Sequence, residues 1–309
     1  MRSKRRQDQE AVGNGVVPAL AELVALRAAA AAYRTPRRGR LGVAGRAPSP
    51  LRGRGMEYAE SREYAPGDDV RHIDWRVTAR SGTTHTKLFQ AERERLTLVV
   101  ADTAPGLYFG TRVRFKSVQA ARAAALGTWM AVRDGDRVAA LRGSSSEPPV
   151  APAGGPRGAL RVLDALARWY AQPPPDDEGR DVALEHAARV LRPGSRLLVL
   201  ADPASLAAVP DRRWPSLSAH SQVVVLLPVD RLESDPPPEP LAIGANGRRL
   251  ELDLGTASHR QRWRNAYVAP LETALARLPR QGVRAAALPC DGPGDDWLPL
   301  FAVPRTARA

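Results

Sequence analysis

Leu96-Thr97-Leu98-Val99-Val100-Ala101 is a short, nearly continuous apolar run that ends at Asp102. Runs of this kind suit a parallel strand buried on both faces. Downstream the pattern alternates. Helix is expected over 115–133, strand over 137–141, helix over 157–171 and 182–191, and strand over 196–201. A helical stretch within 203–219 follows, then strand over 222–228, helix over 258–278 and strand over 283–288. Alternating strands and helices predict a doubly wound, mainly parallel α/β sheet with helices on both faces. Residues 248–254, Arg-Arg-Leu-Glu-Leu-Asp-Leu, alternate strictly and read as an edge or hairpin strand. Proline clusters at 148–156, 173–175 and 236–240 mark surface loops.

Upstream of the run, residues 84–90 alternate enough for a strand, and 35–55 is rich in Arg, Gly and Pro and reads as loop. Between them lies a dense charged block. Glu57, Arg62, Glu63, Tyr64, Asp68, Asp69, Arg71, Asp74, Trp75 and Arg80 surround a single Pro66-Gly67 turn. Pro fixes φ for such a turn, and Gly accepts the left-handed position after it. Asp68 or Asp69 can cap a following helical turn, where Val70, Ile73 and Val77 fall on one face. The charges either pair with one another as Arg–carboxylate bridges beneath Trp75 or present a surface to a partner. No nucleophile has a base beside it here, and His72 is the one imidazole inside the block.

This block, with Lys87, Phe89 and Glu92 behind it, resembles a bacterial family known as domain of unknown function 58. The residues carrying the resemblance include Gly53, Gly55, Glu57, Tyr58, Arg62, Tyr64, Pro66 to Asp69, Arg71, Ile73 to Trp75, Ala79, Arg80, Lys87, Phe89 and Glu92. The resemblance implies a von Willebrand factor A-like domain and a MoxR-type AAA+ ATPase, with its client protein, as partner. The binding surface it implies is Glu57, Arg62, Tyr64, Asp68, Asp69, Arg71, Asp74, Trp75, Arg80, Lys87 and Glu92. On this reading the chain divides into a basic segment with one helix (1–38), an Arg/Asp-rich block (39–94) and a von Willebrand A-like α/β domain (95–303).

A von Willebrand A-like domain also implies a divalent cation held by Asp-x-Ser-x-Ser after the first strand, a Thr from a second loop and an Asp from a third. Hydroxyl and carboxylate oxygens are the hard donors Mg²⁺ prefers. Here Asp102 matches, Thr103 follows it, and Asp202 after the 196–201 strand matches the third loop. Both serine positions are instead Ala104 and Gly106, without side-chain oxygen. The second-loop Thr has no clear match; Asp181 lies near where it would fall. A degenerate site at Asp102, Thr103 and Asp202 is therefore expected, with Mg²⁺ held weakly or not at all.

The remaining composition excludes several classes. The 309 residues carry 43% hydrophobic content, ordinary for a globular chain. The longest apolar run near the start, 28–33, is far short of the ~20 residues of a membrane helix. No secretory h-region follows the basic start, so a cytoplasmic location is expected. The single cysteine, Cys290, rules out an internal disulfide and a multi-cysteine zinc site, and following Pro289 it reads as a buried small residue. Phosphate-loop, dinucleotide and His-Glu-x-x-His motifs are absent.

The net charge is +13, and residues 1–56 hold twelve Lys and Arg against Asp8, Glu10 and Glu22. Such a segment attracts nucleic acid, acidic lipid or an acidic protein face alike. Aromatic residues do not interleave the cluster at 34–46, so nucleic acid is not the favoured partner. The favoured function is a non-enzymatic interaction module, an adaptor or partner of a MoxR-type AAA+ ATPase. The alternatives are a metal-dependent hydrolase using Asp68, Asp69 and Asp74 with Asp102, and nucleic-acid binding through the basic N terminus.

Overall fold

The structure is a computed structural model that describes residues 15–33, 52–90, 95–237, 239–245 and 248–302. For 52–60, 88–90, 241, 243–245, 248–250 and 302 it describes the backbone alone. The described residues fall into two compact units, one within 41–95 and the other within 1–40 and 96–309.

In the smaller unit, β1 (Arg52–Glu63) pairs antiparallel with β2 (His85–Gln90), and Ser61 stands opposite Lys87 and Glu63 opposite His85. The loop expected up to residue 55 is thus corrected: its last residues open β1. Gly is a poor strand former and Arg no strong one, but pairing with β2 supplies what propensity does not. The link between the strands holds a 3₁₀ turn, Val70–His72, and a helix, Trp75–Ser81. Gly82 ends that helix in the left-handed region (φ 75°), donating its N–H to Thr78 O.

The larger unit is mixed α/β. Its six-stranded sheet has the order β10-β7-β6-β3-β4-β5, formed by β3 (Leu96–Ala101), β4 (Arg137–Arg142), β5 (Val150–Gly154), β6 (Arg196–Leu200), β7 (Gln222–Val229) and β10 (Arg284–Pro289). All neighbours are parallel except β4 and β5, which form an antiparallel pair at one edge. The alternating hairpin strand expected near 248–254 is β9 (Arg248–Leu252), paired with β8 (Leu241–Ala245).

The continuous apolar run at 96–101 is explained by burial on both sides. Val99 and Ala101 face one core with the helices Leu20–Ala32, Lys116–Arg133 and Gly155–Trp169. Leu98 and Val100 face a second core with Arg180–Val190, Arg213–His220 and Ala269–Arg280. Burying each such Leu or Val stabilises by about 1.5–3 kcal/mol.

The Lys116–Arg133 helix lies very close to the sheet at Gly127, where an added Cβ would stand 2.7 Å from Leu198 Cδ2 and 3.2 Å from the Trp297 ring. The Leu20–Ala32 helix is clasped to the same helix. Trp129 Nε1 donates to Leu23 O at 3.0 Å, and Arg133 Nη1 donates to Ala30 O and Tyr33 O, the open carbonyls at the helix end.

The helix expected over 258–278 is Ala257–Trp263 and Ala269–Arg280 with a π-helical turn, Arg264–Val268, between them. Across that turn the Trp263 and Tyr267 rings meet with centres 4.4 Å apart and planes tilted by 45°.

Candidate functional site at the carboxyl edge of the sheet

From β3 the chain crosses to β4 on one side and later to β6 on the other, so the strand order reverses beside β3. In open α/β sheets ligands bind outside the carboxyl ends of the strands at such a reversal. Asp102 follows β3 and Asp202 follows β6, and both are buried there, 3% and 8% exposed.

Each acid meets a cation from the first residue of a helix. Arg180, which opens Arg180–Val190, places Nη1 2.5 Å from Asp102 Oδ1 as an ion pair. Lys116, which opens Lys116–Arg133, donates from Nζ to Asp202 Oδ1 at 2.9 Å and to Glu233 Oε1 at 2.6 Å. Lys116 is only 2% exposed. Burial works against its ammonium, but Asp202 and Glu233 outweigh that and raise its pKa above the ordinary lysine value.

The rest of the network is backbone N–H groups and two hydroxyls, Ser205 Oγ and Thr111 Oγ1. Asp102 Oδ1 accepts from Ala104 N at 2.9 Å, and Oδ2 accepts from Asp202 N at 2.7 Å and Ser205 Oγ at 3.0 Å. Asp230 accepts from Thr111 N and Oγ1 and from Leu232 N, and its own N–H reaches Glu233 Oε2 at 3.1 Å. These bonds make Asp230–Glu233 a capping box for the short helix Arg231–Ser234. Cys290 is buried near this cluster, and burial, with Asp230 next, pushes its thiol up to about 12.

The sequence placed Asp102, Thr103 and Asp202 at one edge, and the structure brings Asp102 and Asp202 into direct contact. It does not offer the donor set of a divalent cation. Ala104 and Gly106 lack side-chain oxygens, both Asp102 oxygens are engaged, and an ammonium stands on Asp202. Asp181 turns away to Arg213 at 2.8 Å. Sequence reasoning missed Lys116, Arg180 and Glu233. A usable signal existed for the first two, because a cation in the first turn of a helix opposes the helix dipole and calls for a compensating acid.

In the smaller unit the block's acids serve as caps. Asp69 Oδ1 accepts from Arg71 N at 3.0 Å, and Asp74 Oδ1 accepts from Arg76 N and Val77 N, each at 3.2 Å. Asp74 Oδ2 accepts from Ser61 Oγ at 3.0 Å. Burial works against the Asp74 carboxylate, but the Val77 N–H, the Ser61 hydroxyl and Lys87 hold its pKa below the usual range. Asp68 is held down chiefly by the Ala65 N–H, and it pairs with Arg62 at 2.6 Å, while Tyr64 Oη donates to Asp68 O.

The expected Arg–carboxylate network beneath Trp75 is therefore corrected to one Arg62–Asp68 bridge among the described residues. Arg71 and Arg80 are exposed and have no ion pair among them, and Trp75 is 70% exposed. Glu57 stands opposite Gln90 in the ladder, its side chain outside the described residues, as is the whole of Glu92. Short-range capping wins because the backbone N–H donors lie two or three residues away and need no long side chain ordered.

A family model described as "Protein of unknown function DUF58" matches residues 60–269. Uncharacterized proteins of Mycobacterium tuberculosis and Mycobacterium bovis are 45% identical to this chain over 89 residues, 29% of this chain and 28% of each relative. The chain thus spans less than a third of the length of these curated relatives in the matched stretch. A crystal structure of an aerotolerance-related membrane protein from Bacteroides fragilis is similar with a TM-score of 0.40 at 14% identity, covering 64% of this chain and 92% of that one. No helix among the described residues is long and apolar enough to cross a membrane.

Proposed function

The chain belongs to the DUF58 family of proteins of unknown function, and from that premise we propose that it is a non-enzymatic interaction module. In this reading the larger unit is a von Willebrand factor A-like scaffold, and residues 39–94 carry the recognition surface for a MoxR-type AAA+ ATPase in the cytoplasm. The single supporting observation is the surface around the Trp75–Ser81 helix. Val70 and Trp75 are 63% and 70% exposed, and Arg71, Arg76 and Arg80 are exposed beside them in sequence. An exposed Trp next to guanidiniums suits an acidic partner face that also buries apolar surface. The hydrolase alternative is weaker, because Asp68, Asp69 and Asp74 already serve as caps or ion-pair partners.

The test is binding of the purified chain to a MoxR-type ATPase from the same organism, by biolayer interferometry. Trp75→Ala and Arg76→Glu are expected to abolish binding without shifting the melting temperature. Binding that survives both substitutions, or no binding by the unaltered chain even at low salt, sinks the proposal.

A further inference from the structure

Lys116 is placed where two general effects oppose it. A cation in the first turn of an 18-residue helix faces the positive end of the helix dipole. Burying an ammonium also costs free energy unless opposite charge receives it. Both costs are offset by Asp202 and Glu233, 2.9 and 2.6 Å from Nζ. Asp102 is not part of this balance, because Arg180 already neutralises it. Remove the ammonium and two carboxylates remain beside a helix N-terminus with no cation between them. Their summed charge would then match one divalent ion.

The surroundings suit such an ion. Mg²⁺–oxygen distances are about 2.1 Å, so each carboxylate would need to close in by less than about 1 Å. Gly106 leaves room, since even an added Cβ there would stand 3.4 Å from the Asp202 carboxyl. In the residue after Asp102, Thr103 Oγ1 is buried and has no hydrogen-bond partner among the described residues.

We infer that the Lys116 ammonium is a built-in replacement for a divalent cation at this edge, and that truncating it opens a latent Mg²⁺ or Mn²⁺ site between Asp202 and Glu233. The unaltered protein is then locked in a permanently charged state that no metal fluctuation can change. Any partner that reads this edge meets the same electrostatics whether or not Mg²⁺ is present.

Thermal unfolding followed by circular dichroism, with and without millimolar MgCl₂ or MnCl₂, tests this. The melting temperature of the unaltered protein should be insensitive to either ion. Lys116→Ala should melt several degrees lower, and the ions should recover part of that loss. The recovery should vanish in Lys116→Ala/Asp202→Asn. An Mg²⁺-induced rise in the unaltered protein that Asp202→Asn removes would overturn the inference. So would a folded Lys116→Ala with no response to either ion. Should Lys116→Ala not fold without metal, refolding in MnCl₂ is expected to yield folded protein. Failure there, together with a folded Lys116→Gln that ignores both ions, also overturns it.

Discussion

The backbone N–H of Asp202 donates to Asp102 Oδ2 at 2.7 Å, tying the ends of β6 and β3 through one carboxylate oxygen. Arg180 holds the other oxygen of that carboxylate. The pair is 7% and 1% exposed at its side chains, so losing either partner strands a buried charge. Breaking such a pair costs about 3–5 kcal/mol. Arg180→Met and Asp102→Asn should each lower the unfolding free energy by about that much in urea titrations. The double variant should lose less than the sum of the two. Strictly additive losses would show that the two side chains do not act as a pair.

Acid should weaken the protein through Asp176 and Glu147, which face Arg142 at the end of β4. The Ser144 hydroxyl, then Ser146 and Arg142, hold the Asp176 carboxyl well below its ordinary 3.8. Burial works against the Glu147 carboxylate, but the Trp169 N–H and Arg142 outweigh it and hold its pKa below the ordinary 4.5. Both folded-state values are lowered, so their contribution is present above the ordinary carboxylate range and is lost as pH falls through and below it. Urea midpoints measured from neutral pH downward should fall below about pH 4.5, and Asp176→Asn should flatten that slope. An unchanged slope in Asp176→Asn would remove this cluster from the acid response.

Cys290 should be inert in the folded protein. Its residue is 2% exposed and its thiol is pushed up to about 12, so almost no thiolate exists near neutral pH. Ellman's reagent should react slowly under native conditions and at once in guanidinium. Rapid reaction with the native protein would mean that the β10 end of the sheet opens readily.

Trp75 and Asp74 are neighbours with opposite expectations. Trp75 is 70% exposed, and its truncation to Ala should leave stability within about 0.5 kcal/mol. Asp74 caps the helix and receives Ser61, so Asp74→Ala should lower the melting temperature measurably. Equal effects from the two substitutions would contradict this division between surface and cap.

Much of the larger unit was legible because its signals are local. The run at 96–101 and the helical stretch at 115–133 have one reading each, and β3 and the Lys116–Arg133 helix lie there. What stayed hidden depends on neighbours. Nothing in the Arg/Gly-rich start of β1 favours a strand until β2 pairs with it. β5, with Ala, Pro and Gly in its five residues, is a strand through β4 alone. The π-helical turn at 264–268 is announced only by Pro270 just after it, which has no N–H for the carbonyl four residues back, a signal that does not by itself specify a π turn. At the site, strand ends pointed to Asp102 and Asp202, whereas Glu233 comes from a four-residue helix late in the chain. Only the folded topology brings it to Lys116.

Gly127 and Lys116 lie eleven residues apart on one helix, about 16 Å along its axis. The first sets how tightly the helix seats on Leu198, and the second ends it against Asp202. The seat acts as a fulcrum and the helix as a lever arm. A small tilt at the glycine becomes a larger displacement at the ammonium. The fidelity of the charge pairing at the sheet edge is therefore set three turns away, by the absence of a methyl group.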